Sequence, residues 1–136
     1  MSLLVSIPLL TIHLVIFNLM LVFNGAETAA VLSSPMFSGT LFSGALFTLT
    51  IGDFLVILGV ILLYFELLKS TRFSTASTVE HMVSMLVFII FLIEFITVKG
   101  LGNASFLVIT LLALIDVLSG FTVSISTARR DIDISA

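Results

Sequence analysis

The chain contains no cysteine. That absence excludes a disulfide framework, a thiolate metal site, a haem attachment motif and a cysteine nucleophile. Tryptophan is also missing, and there are one tyrosine and two prolines. Charge is scarce: Lys, Arg, Asp and Glu make up 10% of 136 residues, where a soluble domain carries roughly 25%. The basic residues are Lys69, Arg72, Lys99, Arg129 and Arg130, which form no stripe or patch that would grip nucleic acid. A net charge of −3 from so few groups points to no charged partner. A Gly-rich phosphate loop, a nucleophile elbow and a zinc-protease motif are all missing. Too little of the chain lies outside apolar runs to hold a polar substrate. No enzymatic activity and no cofactor is therefore expected.

What the chain does have is apolar sequence, 60% of its residues. The organising stretch is 45–72, ALFTLTIGDFLVILGVILLYFELLKSTR. It holds about 22 nearly continuous apolar residues, enough at ~1.5 Å each to cross a ~30 Å hydrocarbon core. Three further runs of similar length give helices over about 3–23, 45–68, 79–98 and 105–126. A cleaved signal peptide competes for the first run, because Ala26, Ala29 and Ala30 offer small residues for cleavage. Against it, the run is long and no basic residue precedes it. Segment 24–44 is too rich in Gly, Pro and Ser to span and too apolar for an aqueous loop. It is expected at the outer interface as a hairpin or short helix, with a re-entrant loop as the functional alternative. Lys69, Arg72, Arg129 and Arg130 fall on one side of these crossings and Lys99 on the other, so both termini are expected in the cytoplasm. The predicted fold class is an all-α membrane protein. Its single domain, 1–136, is four transmembrane helices in an antiparallel up-down bundle.

Ionisable groups inside a bilayer cost a few kcal/mol each, so each one asks for a reason. Counted from helix midpoints, His13, Asp53 and Asp116 fall near one mid-membrane level on three helices, a possible proton or cation relay or small ligand site. Asn18 and Glu94 share a second level about 8 Å further out. Glu66, Glu80 and His81 are expected at the cytoplasmic interface, within reach of Lys69 or Arg72. The bland alternative is that each group is hydrogen-bonded to a neighbouring helix and serves packing. No metal site is expected: His13, Asp53 and Asp116 offer three ligands but no His-x-x-x-His type of spacing. Ala45, Gly52, Gly59 and Glu66 recur every seven residues, and Gly120 sits beside Asp116 with Ala113. Gly52, Gly59 and Gly120 are accordingly the expected helix-packing positions.

The blocks IGDFLVILGVILLYFELLKSTRFSTASTVEH and LLALIDVLSGFTVSISTARRD resemble an uncharacterised family of small four-helix inner-membrane proteins of proteobacteria. The resemblance covers about 52–131 and not the N-terminal third. It implies a multi-pass protein of the bacterial inner (cytoplasmic) membrane, and it lends no activity, cofactor or catalytic residue. The functional expectation is a non-enzymatic membrane protein acting as a homo-oligomer or as an accessory subunit of a membrane assembly. Its partners would be the lipid bilayer and itself or other membrane subunits. A proton or cation channel or transporter built on the midplane His and Asp residues is the alternative.

Overall fold

A computed structural model describes residues 7–71 and 76–135; of 76, 77, 127 and 135 it describes the backbone alone. The chain forms α1 (Thr11–Asn24), a 3-10 turn (Gly25–Glu27) and α2 (Thr28–Leu32). A hairpin of β1 (Pro35–Thr40) and β2 (Leu46–Thr50) follows, then α3 (Ile51–Ser70), α4 (Ala76–Thr97), a second 3-10 turn (Lys99–Leu101) and α5 (Ala104–Ser135). Four helical stretches, Thr11–Leu32, Ile51–Ser70, Thr78–Thr97 and Ala104–Ile134, are long and apolar enough to cross a membrane. By length and composition this is a multi-pass membrane protein. Residues 3–6 of the first expected helix, and Arg72, lie outside the described residues.

The largest departure from expectation is at 45–50. Ala45 belongs to the turn and 46–50 form β2, so α3 begins six residues later than expected, at Ile51. Thr50 supplies the physical reason. Its hydroxyl accepts the Asp53 N–H at 3.1 Å while the Asp53 carboxylate accepts the Thr50 N–H at 3.0 Å. This reciprocal capping box satisfies two of the amides that every helix start leaves open. The α3 that remains has 20 residues, still about 30 Å long.

Segment 24–44, expected as a hairpin or short helix, contains both a short helix and the first strand of a hairpin. The first helix continues through a turn at Gly25 (φ +53) into α2, where the buried Thr28 hydroxyl donates to Gly25 O at 2.7 Å. The hairpin then pairs Phe37 with Leu49, Ser38 with Thr48, Gly39 with Phe47 and Thr40 with Leu46, with a bulge between Pro35 and Phe37. Its loop closes by Gly44 N–H to Leu41 O and Leu41 N–H to Ala45 O, both 2.9 Å, with Gly44 at φ +86. Glycine takes that conformation without a Cβ penalty, as at the end of short hairpin turns. The last helix also runs further than expected, to Ser135.

The core lies where the helices meet. Phe17 of α1 stands edge-on to Phe106 of α5 with ring centroids 5.0 Å apart, and Phe91 of α4 approaches the same ring at 5.5 Å. All three are fully buried, together with Leu10, Leu101 and Ile109. α5 packs closely on both α3 and α4, and small residues permit this. A Cβ on Gly59 would stand 2.6 Å from Ile109 Cδ1. One on Gly52 would strike the Ser105 hydroxyl, and one on Gly120 the His81 ring. All three expected packing glycines therefore sit at close helix contacts.

Candidate functional site

The polar groups inside the bundle form three layers along α3. Nearest the hairpin, Asp53 occupies the first turn of α3, exposed and engaged with Thr50. It does not reach His13 or Asp116. The cap at Thr50 explains this, since starting α3 at Ile51 moves Asp53 from the middle of a helix to its end.

The middle layer holds His13. It is fully buried, and Nε2–H donates to the Leu55 carbonyl oxygen at 2.8 Å. A Cβ on Gly59 would be 3.5 Å from the same nitrogen, so the glycine makes room for the imidazole. Nδ1 has no protein partner. Toward the hairpin end of α1, Asn18 Nδ2 donates to both Glu94 oxygens at 3.1 and 3.0 Å and to Leu14 O at 2.9 Å. Asn18 and Glu94, expected at one level, thus meet directly and tie α1 to α4.

The third layer, about 10 Å along α3 from Gly59, is the richest in chemistry. Glu66 is buried. One carboxylate oxygen accepts the Leu9 N–H at 2.9 Å and the other faces Lys69 Nζ at 3.2 Å. Asp116, also buried, takes a hydrogen bond from the Ser84 hydroxyl and lies within electrostatic reach of Glu66 and Lys69. His81 packs over Gly120 one helical turn further along α5, and its Nε2 is buried without a protein partner. One ammonium thus pairs with Glu66 and acts on Asp116 at longer range, and three helices and the turn before α1 contribute to the cluster.

His13, Asp53 and Asp116 therefore stand at separate levels, and each has its own partner: Leu55 O, Thr50 and Ser84. Among the described residues no three His, Cys, Asp or Glu side chains converge as a metal site would require. The electrostatic reach of Glu66 to Asp116 is what sequence reasoning missed. The signal was present: Glu66 continues the seven-residue stripe of Gly52 and Gly59 that packs on α5, and Asp116 shares its face with Ala113 and Gly120. Both carboxylates lie on faces whose small residues mark close contact. The capping box was equally legible in Thr50-Ile51-Gly52-Asp53, a threonine with an acid three residues on.

Removing that cap gives a first prediction. Thr50→Val should cost about 1 kcal/mol and raise amide exchange at the start of α3, with no effect on the far layer. Thermal unfolding in detergent and exchange at 51–54 measure both. Unchanged exchange would show that Thr50 does not hold the start of α3.

No family model, no curated protein and no solved structure matches this chain.

Proposed function

We propose that this chain is a non-enzymatic membrane protein that works as a homo-oligomer or as an accessory subunit of a larger membrane assembly. The carrying observation is the use made of its intramembrane polar groups. Asn18–Glu94 joins α1 to α4, Glu66 joins α3 to the start of α1, and Ser84–Asp116 joins α4 to α5. Hydrogen bonds of this kind hold helices together where lipid provides no hydrophobic drive between them.

In this reading the four spans run up and down in sequence, with both termini on the cytoplasmic side of a bacterial inner membrane. Residue pairings favour it. Gly52 against Ser105 and Glu66 near Asp116 support α3 and α5 in one direction, and Ser84 near Asp116 and Phe91 against Phe106 support α4 in the other. Lys69 and the Arg129-Arg130 pair then share a side, as the positive-inside rule requires. The resemblance to small proteobacterial inner-membrane proteins points the same way. The glycine stripe of α3 is occupied by α5 of the same chain, so partner contact falls to other surfaces of the bundle.

One observation favours the second reading, a proton or cation pathway: Glu66, paired with Lys69, and Asp116 lie within electrostatic reach of one another, and His81, one helical turn along α5 from Asp116 at Gly120, has a ring nitrogen without a protein partner. The experiment is reconstitution into liposomes, with ion flux and oligomeric state measured on wild type, Glu66→Gln and Asp116→Asn. The assembly reading expects flux at the level of empty liposomes and defined oligomers or co-purifying membrane subunits. Flux abolished by either substitution, with folding intact, would replace it by the conduction reading.

A further inference from the structure

The hairpin is largely left uncovered by the bundle. From Thr28 to Gly52 there is no charged side chain. Alternation along the paired strands puts Phe37, Leu41, Phe47 and Leu49 on one face and Ser38, Thr40, Thr48 and Thr50, with the apolar residue Leu46, on the other. On the second face the Ser38 hydroxyl donates to Thr48 Oγ1 at 3.2 Å. Phe37, Leu41, Leu46 and Phe47 are exposed, and Phe42 at the turn is exposed completely. A two-stranded hairpin is marginal in water by itself, and this one has nothing charged to solvate it.

Its position indicates what covers the apolar face. Only Ser33 and Ser34 separate it from the end of one membrane-crossing stretch at Leu32, and β2 runs straight into the next at Ile51. The base is closed by Ile51 N–H to Ser34 O at 3.1 Å. Strands of this length reach about 20 Å, so the whole hairpin stays beside the leaflet from which it emerges. The lipid-facing surface of the spans leads directly to it.

We propose that the hairpin lies on that leaflet, with Phe37, Leu41, Phe42 and Phe47 among the upper acyl chains and the hydroxyl face toward water. This narrows the interfacial placement expected for the segment to one face and four side chains, and it is independent of whether the protein assembles or conducts. The depth is bounded: the outer edges of β1 and β2 carry N–H and C=O groups without strand partners, which must stay within reach of headgroups and water. The capping box then links this lipid contact to α3, so that the hairpin sets the height at which that helix enters the bilayer.

Because the chain has no tryptophan, Phe42→Trp creates a single reporter, with Phe47→Trp as a second probe on the same face and Thr40→Trp on the opposite one. Each is reconstituted at high lipid-to-protein ratio in phosphatidylcholine vesicles, plain or brominated at shallow or deep chain positions. The proposal expects blue-shifted emission from F42W and F47W, loss of most intensity with shallow bromines and less with deep ones. T40W should emit as in water and be quenched by acrylamide. Water-like emission from F42W and F47W would overturn it, and so would blue-shifted emission insensitive to bromine, which would instead place the face against a second copy or another protein.

Discussion

Lys69→Met is expected to lower stability by about 3 kcal/mol, the lower end of the cost of removing one partner from a buried ion pair. The lower end applies because the lysine side chain is 24% exposed while that of Glu66 is 7% exposed. Without the ammonium, Glu66 and Asp116 face one another across the α3–α5 contact with no counter-charge. Glu66→Gln in the same background should recover more than half of the loss. The amide oxygen still accepts from Leu9 N–H, and the like-charge repulsion is gone. The measurement is reversible unfolding in mixed micelles for the two single variants and the double. A neutral Lys69→Met would show that water, not the lysine, compensates the two carboxylates.

Gly59→Leu should be about as damaging, on the order of 3 kcal/mol, for a steric reason. A Cβ there already crowds Ile109 Cδ1 at 2.6 Å and Leu112 Cδ1 at 3.0 Å. The ends of those side chains can yield to an alanine. A leucine has three further carbons to place, so it must push α3 away from α5 and displace His13 from the Leu55 carbonyl. Val60→Leu, at the adjacent exposed position, serves as the control and should unfold like wild type. Equal stability of the two variants would show that the glycine stripe is not the contact between α3 and α5.

The two effects have different origins, and the sequence spoke to them unequally. The steric one was readable: a glycine every seven residues in a membrane helix has few uses other than close approach, and Gly52, Gly59 and Gly120 all sit at such contacts. The electrostatic one was not. Depth counted from the middle of each apolar run made Asp53 a neighbour of Asp116, because hydropathy registers how apolar residues 45–50 are and not what backbone they adopt. Alternating Thr48 and Thr50 among Leu46, Phe47 and Leu49 suit a strand as well as a helix start. The cap at Thr50 decides between them and shifts Asp53 by most of two turns.

Composition and hydropathy by themselves determined that this is a membrane protein with four crossing helices and almost no polar mass, because a bilayer core imposes length and apolarity on each span separately. They also put Asn18 level with Glu94, and the two meet by hydrogen bonds. Only the tertiary structure decided which carboxylates meet. Partnership across helices depends on the rotation and axial offset of one helix against another, and those are set by the sum of packing contacts, Phe17 on Phe106 and Gly59 beneath Ile109 among them. The folding of the hairpin belongs with these decisions, because strand pairing between 35–40 and 46–50 is a relation between two segments that neither segment carries alone.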